Sequence, residues 1–462
     1  MILSTLILPA ALMPLLGAVS EPLTNLPNPQ PDIPLPLVML VLGVIFAGTL
    51  AISKFSLKIG IPAILGVLLM GLAINPGTPL IDAHDIERIH ILSLCLLLFY
   101  AGLKTDIRSI RGFLGYGLTL ALGGVIVTTT LLGLFIWFVA SPTASGIQLG
   151  FSQIPLAVGM LIAACLGSTD AGATLSVLRD VRHLVPARLS ALVEFESSVN
   201  DPTAILFLGL VIGMATISNF GVEAGASVMR ELEIFLQSIG SGLICGLILG
   251  YIWRYFLNNL VHEESQLLML GLAVAMCTYG VSSQLGGSGF IAVYVTGLFL
   301  GNNSYSNSNI SSKGLETALL PFNAMTEIIV FFCFGLIMRP SEVLSSIQSG
   351  LVIAIFLMFV ARPVSVFLFQ GLSPFRLRET LFVSWCGLRG AVPLALTYQA
   401  VTMISKLPGI DPVTIRPLID NTIGIVFTVV MISLLVQGFS LPYVCRWLKL
   451  DAGANSEDPE LA

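Results

Sequence analysis

Long apolar segments separated by short polar loops run through almost the whole chain, and they restrict its fold more than any other feature. Hydrophobic residues make up 55% of the 462 residues and charged residues only 10%, whereas soluble domains carry about 25% charged residues. A spanning helix needs about 20 predominantly apolar residues, and helices satisfy all their backbone hydrogen bonds within the bilayer. The sequence therefore predicts an all-α polytopic membrane protein.

Thirteen segments are predicted to be transmembrane helices: 35–53, 59–74, 89–103, 112–140, 154–178, 189–214, 231–257, 265–283, 286–301, 317–338, 346–371, 379–405 and 417–445. The transmembrane domain then occupies residues 35–447, followed by a short acidic tail at 448–462. Residues 1–34 are an apolar segment and a proline-rich linker. Residues 1–19 lack the positively charged start of a secretory signal, and the sequence leaves open whether they are retained or cleaved.

Basic residues predict the orientation of these segments. Fourteen of the 21 lysines and arginines lie on one side of the alternating pattern and five on the other, and the remaining two are Arg362 and Arg389. The richer side is cytoplasmic by the positive-inside rule. We therefore expect a multi-pass protein of the cell (inner) membrane with a cytoplasmic C-terminus. No basic patch suggests nucleic-acid binding. The seven cysteines lie in apolar stretches and lack metal-ligand spacing, so no disulfide or metal site is expected, and no cofactor is expected either.

The two halves of the chain show a repeated feature. Six predicted segments precede residues 231–257 and six follow, and the fifth of each set carries a glycine-flanked charge: GSTDAGA at 167–173 and GLRGAVP at 387–393. Because a single segment lies between the two sets of six, the second set starts on the opposite side of the membrane from the first. The halves then have opposite topology, as in the inverted repeats of many secondary transporters. Glycine and proline weaken helices. The motifs therefore predict two broken helices that cross at the midplane, with Asp170 and Arg389 beside the breaks.

The motif ESSVNDP at 196–202 predicts an ion-binding site. Ser197, Asn200 and Asp201 share one helix face, and Pro202 displaces a backbone carbonyl. Hard monovalent cations prefer oxygen ligands, and a carboxylate can hold a proton instead. The alternative is an ordinary polar contact between helices.

The first glycine motif offers further oxygens for the same site. A broken helix would present the Thr169 carbonyl and the Asp170 carboxylate to an ion, since freed backbone groups at membrane depth line a cavity or lie within protein. The alternative, a bent helix with a hydrogen-bonded aspartate, stays open.

Other charged residues also lie in apolar segments, where a charge costs several kcal/mol. Arg362 needs a partner, for which Glu196 is the candidate, unless its side chain extends to the membrane surface. Glu327 could line the ion path or pair locally. His84 and His90 could sense pH, although a solvated loop is the favoured interpretation.

Several motifs in the expected order give a family resemblance. GSTDAGA, FESSVNDP, ARPVSVF and SWCGLRGAVP, together with GSGFIAVYVTGLFLGN at 287–302, resemble the NhaP-type branch of the cation–proton antiporters, which is related to the sodium–proton exchangers. The similarity runs from about residue 35 to 447 and is greatest to bacterial potassium–proton antiporters. The resemblance implies an NhaA/NhaP-like fold with a six-helix core, a dimerisation domain and a homodimer.

The resemblance also implies roles for individual residues. Asp201 would be the exchanging carboxylate, and Asp170, Thr169, Ser197 and Asn200 would complete the site, with Glu196 paired to Arg362. The monovalent cation would bind at Asp201, Asp170, Ser197 and Thr169. Two departures are a tyrosine, Tyr100, where relatives often carry an acid, and the absence of their cytoplasmic regulatory tail.

The expected function is antiport of Na+ or K+ against H+, serving pH and cation homeostasis, and not an enzymatic reaction. Exchange is expected to be electroneutral because Asn200, rather than a second acid, precedes Asp201. The alternatives are a passive cation channel, against which the lack of a repeated pore unit argues, and a proton-coupled symporter of a small solute.

Overall fold

The computed structural model describes residues 35–59, 63–74, 83–140, 154–170, 173–174, 177, 184–215, 224–306, 311–405 and 412–450. Nearly all of these residues are helical. The helices, numbered in chain order, are α1 (Leu35–Ile59), α2 (Ala63–Ile74), α3 (Ala83–Lys104), α4 (Ile107–Val139), α5 (Leu156–Cys165), α6 (Ala187–Ala215), α7 (Ala224–Leu260), α8 (Gln266–Gln284), α9 (Gly289–Gly301), α10 (Ser312–Ile337), α11 (Pro340–Leu368), α12 (Leu377–Trp385), α13 (Ala391–Ile404) and α14 (Pro412–Leu448).

A helix lies within each of the thirteen predicted segments, and two of the segments are interrupted. Among the described residues, seven helices are long and apolar enough to cross a membrane, namely α4, α6, most of α7, α8, α10, α11 and most of α14, and five shorter apolar helices accompany them. The number of thirteen spans stays a prediction, as do the domain limits. The predicted segment 1–34 and residues 451–462 of the acidic tail lie outside the described residues.

The chain divides into two compact units between Gly48 and Thr49. The described part of the first unit is the beginning of α1. The second unit contains the rest of α1, every later helix and all residues of the site described below.

The two interruptions occur where the glycine motifs predict them. Helix α5 ends at Cys165 and is followed by non-helical residues 166–170, which we call the first break. Helices α12 and α13 are separated by residues 386–390, the second break. The breaks meet, because the backbone N–H of Asp170 donates to the carbonyl of Leu388 at 2.7 Å.

Glycines let α3 approach α9 at backbone contact. A Cβ atom at Gly102 would overlap the carbonyl oxygen of Tyr294, and one at Gly297 would overlap that of Phe99. Small residues at helix contacts are the usual means of close packing within membranes, where burial in lipid gives no advantage to larger apolar groups. This contact fixes α3, which supplies one wall of the site.

Candidate cation and proton site

Asp201 lies in the middle of α6 and faces a cavity of about 130 Å³, which has room for several water molecules. Its Oδ1 atom is buried and has no hydrogen-bond partner among the described residues. Pro202 follows and has no N–H, so the carbonyl of Ser198 cannot bond to it. A buried carboxylate oxygen without a donor is costly, and a bound proton or cation removes that cost.

The cavity is lined by residues of four helices and both breaks. Its polar lining consists of Tyr100 and Lys104 of α3, Ser168, Thr169 and Asp170 of the first break, Glu194, Ser198 and Asp201 of α6, and Asn323 and Glu327 of α10. Four of these residues are acids and one is a base. Such a lining concentrates cations and excludes anions.

Asp170 differs from Asp201 because its carboxylate already has a defined partner. Its Oδ1 accepts a hydrogen bond from the backbone N–H of Ala173 at 2.9 Å. Its other oxygen lies so close to Gly390 that a Cβ there would overlap it. The second break therefore needs glycine at position 390 to admit this carboxylate.

Asn200 joins the first break to α6. Its Nδ2 donates to Thr169 Oγ1 at 2.6 Å and to Glu196 Oε1 at 3.2 Å, and its Oδ1 accepts from the N–H of Thr169 at 3.2 Å. Thr169 Oγ1 also lies 2.9 Å from Ser197 Oγ. The structure thus brings together all the residues of the predicted ion site.

These residues do not all face the cavity. Asp201, Asp170 and Thr169 line it, whereas Ser197 and Asn200 lie behind Thr169 and are bonded to it. The latter two side chains fix the shape of the site, and the assignment of individual cation ligands stays a prediction.

Glu196 and Arg362 form a buried ion pair. Two parallel hydrogen bonds of 2.9 Å join the guanidinium of Arg362 to both carboxylate oxygens, and the residues are 1% and 3% exposed. Arg362 follows a π-helical turn at Leu357–Ala361 and precedes Pro363, which removes one helical donor. The buried position excludes a side chain that extends to the membrane surface.

Arg389 lies in the second break and its side chain stabilises the first break. Its guanidinium donates to the carbonyl of Ser168 at 2.6 Å, and the residue is 1% exposed. The carbonyls after the end of α5 have no helical partners, and a cation there is favourable. The charge of Arg389 thus bonds to the backbone of the first break, and the Asp170 carboxylate lies against Gly390 of the second.

Sequence reasoning missed several cavity residues. Ser168 and Ser198 lie inside the motifs but were given no role, and Lys104 pairs with Glu194 at the partly exposed end of the cavity. The only signal for the two serines is position, inside the first break or one turn before Asp201. Because Lys104 belongs to the side rich in basic residues, this end faces the cytoplasm in the predicted orientation.

The structure also shows the surroundings of Glu327 and His90. Glu327 lines the cavity, which agrees with the first of its two predicted roles. The favoured expectation of a solvated loop is wrong for His90, which is 3% exposed and stacks on Phe334 with ring centroids 4.3 Å apart. Helix α3 begins at Ala83, so His90 is two turns inside it. The side chain of His84 lies outside the described residues.

Comparison with known proteins gives consistent matches. The family model described as "Sodium/hydrogen exchanger, transmembrane" matches residues 30–447. The K(+)/H(+) antiporter NhaP2 of Shewanella oneidensis is 33% identical over 417 residues, which make up 88% of this chain and 66% of that protein. The Na(+)/H(+) antiporter NhaS2 of Synechocystis is 29% identical over 398 residues, 84% of this chain and 67% of that protein.

A solved structure shows the same fold. The sodium proton antiporter MjNhaP1 from Methanocaldococcus jannaschii superposes with a TM-score of 0.73 at 22% identity, over 88% of this chain and all of that chain. The chain spans 66% of the length of the NhaP2 relative. These matches confirm the fold class and the family resemblance that the motifs predict.

Proposed function

We propose that this chain, which belongs to the sodium/hydrogen exchanger family, is a secondary active antiporter that exchanges Na+ or K+ for H+. The names of the relatives include both ions, and the oxygen lining of the cavity suits either. The proposed location is the cell membrane, with the C-terminus in the cytoplasm.

The observation that carries the proposal is the state of Asp201. Its side chain lines the cavity, and its buried Oδ1 has no hydrogen-bond partner in the described part of the chain. It can therefore be satisfied by a proton or by a cation, but not by both at once. Competition of two ions for one group couples their transport, because neither can use the site while the other occupies it.

The cavity supports the path of both ions to Asp201. Lys104 and Glu194 lie at its partly exposed end, and Asp201, Asp170 and Glu327 lie deeper. We assign this arrangement to the state in which Asp201 is accessible from the cytoplasm. Transport then requires a second state open to the other side, reached while Asp201 holds either ion.

The surface of α7 supports the proposed homodimer. Only 11% of the most apolar part of this helix is buried within the chain, and large side chains such as Ile244, Ile248 and Tyr251 are exposed. A bilayer or a second copy of the chain covers these groups, and we propose the second copy for part of this face.

The test is exchange by the purified chain in proteoliposomes. A pH-sensitive dye inside vesicles with an acidic lumen should dequench when Na+ or K+ is added, and Li+ serves as a third cation. Asp201→Asn should abolish the response, because an amide cannot hold an exchangeable proton. The matched control is Glu264→Gln, which changes an exposed acid in the α7–α8 loop and should exchange like the wild type.

Two outcomes contradict the proposal. Full exchange by a well-folded Asp201→Asn variant would exclude Asp201 as the shared site. Cation flux without proton movement in the wild type would indicate a channel.

A further inference from the structure

Two buried polar residues on the last helix lie outside the site described so far. Ser433 and Gln437 are one turn apart on α14, and each is 1% exposed. Their surroundings in the sequence are apolar, and buried polar groups are costly unless they are hydrogen-bonded. Beyond the bond within the pair, their side chains bond to Arg389 of the second break and to Trp385, the residue just before it.

The bonds reach both ends of that break. Ser433 Oγ accepts from the backbone N–H of Arg389 at 3.0 Å and donates to Gln437 Oε1 at 2.7 Å. Gln437 Nε2 donates to the carbonyl of Trp385 at 3.1 Å. Trp385 is the last residue of α12 and Arg389 lies two residues before α13. The pair thus satisfies a donor and an acceptor that the interruption leaves without helical partners.

The residues held in this way contact the ion site directly. The guanidinium of Arg389 donates to the carbonyl of Ser168 at 2.6 Å, and the carbonyl of Leu388 accepts from the N–H of Asp170 at 2.7 Å. Both Ser168 and Asp170 line the cavity. The position of residues 385–389 therefore sets the position of one wall of the cavity.

We propose that Ser433 and Gln437 are positioning residues for cation binding: they hold the second break and, through Arg389 and Leu388, place Ser168 and Asp170 at the cavity. This inference rests on the proposed exchange function. Loss of one positioning hydrogen bond should raise the apparent KM for the cation about three- to tenfold. The maximal rate should change less, because Asp201 itself is untouched.

The experiment compares four variants in the dye assay over a range of cation concentrations. Ser433→Ala and Gln437→Met remove the bonds to the break, whereas Ser433→Thr keeps the hydroxyl oxygen. The matched control is Thr428→Val on the same helix, because Thr428 is 0% exposed and its hydroxyl has no partner among the described residues. We expect a raised KM for Ser433→Ala and Gln437→Met, recovery in Ser433→Thr, and a wild-type KM for Thr428→Val.

Hydrogen–deuterium exchange of residues 386–390 in the same preparations tests the contact independently of transport. Ser433→Ala or Gln437→Met should speed exchange there, and Thr428→Val should not. Wild-type KM and wild-type protection in both of the former variants would overturn the inference, as would an equal change in Thr428→Val. A wild type that exchanges no cation would instead overturn the proposed function, while the protection of residues 386–390 still tests the positioning contact.

Discussion

At the scale of single residues, the site distinguishes two carboxylates by what each one touches. Asp170 accepts a hydrogen bond from the N–H of Ala173 and lies against Gly390. The buried Oδ1 of Asp201 has no such donor within the described chain. Two acids of the same type, both on the cavity wall, therefore differ in their hydrogen bonds, which is why we expect Asp201 rather than Asp170 to exchange its ion.

The Glu196–Arg362 pair gives a prediction about stability. Glu196→Ala or Arg362→Ala should lower the free energy of unfolding by about 3–5 kcal/mol, because each leaves the other charge buried without its partner. Thermal unfolding in detergent should show the loss. The apparent KM for the cation should change less, since the pair does not line the cavity.

The control for this pair removes both charges together. Glu196→Gln combined with Arg362→Met should be less destabilising than either single alanine variant, because no unpaired charge remains. A single variant that unfolds at the wild-type temperature would contradict the structural role of the pair.

For His90 we predict a variant that is as stable as the wild type or more stable. Both of its ring nitrogens are buried without hydrogen-bond partners among the described residues, and the ring stacks on Phe334. His90→Phe keeps the stacking and removes unsatisfied polar atoms, so the unfolding temperature should stay equal or rise. His90→Ala should lower it, because a buried ring leaves a cavity worth several kcal/mol.

The His90→Phe variant also tests the pH-sensing interpretation of His90. We expect His90→Phe to exchange with the wild-type dependence on pH. A shifted pH profile in this variant, with an unchanged unfolding temperature, would show that the histidine takes part in sensing.

At the scale of helices, the sequence predicts the features that depend on neighbouring residues, namely the helical segments and the breaks. Apolar length located the helical segments, and glycine and proline located both breaks. The start of α3 was placed at residue 89 instead of Ala83, because polar residues continue a helix past its apolar part and carry no hydropathy signal. The predicted start at residue 89 puts His90 at the outer end of the helix, whereas the structure has it two turns inside.

The contacts between elements could not be derived in the same way. Ser433 and Gln437 are single polar residues in an apolar helix, and their bonds to Arg389 and Trp385 span 44 and 52 positions. Nothing in their neighbours specifies such partners. The orientation of Asn200 toward Thr169 likewise depends on how the first break lies on α6.

The contact between the two breaks gives a prediction about Gly390. Gly390→Ala should raise the apparent KM for the cation about tenfold or abolish exchange, because the added Cβ would overlap the Asp170 carboxylate and overpacking costs about 1–3 kcal/mol. The dye assay measures this effect. Gly371→Ala is the matched control, since a Cβ there would meet no atom within 4 Å, and a wild-type KM for Gly390→Ala would contradict the contact.

At the scale of the whole molecule, we predict that one cation moves against one proton, so that net charge does not cross the membrane. Asp201 is neutralised equally by a proton or by a monovalent cation, and Asn200 beside it cannot carry charge. Asp170 keeps its bond to the N–H of Ala173 and is expected to stay in one state through the cycle, and the Glu196–Arg362 pair is neutral as a unit. The moving part of the protein then carries the same charge in both directions.

The measurement is exchange in proteoliposomes whose membrane potential is clamped at several values by an ionophore, with Glu264→Gln as the control variant. Rates and final gradients should not depend on the potential. A dependence would mean more than one proton per cation, and Asp170→Asn would then show whether Asp170 carries the second.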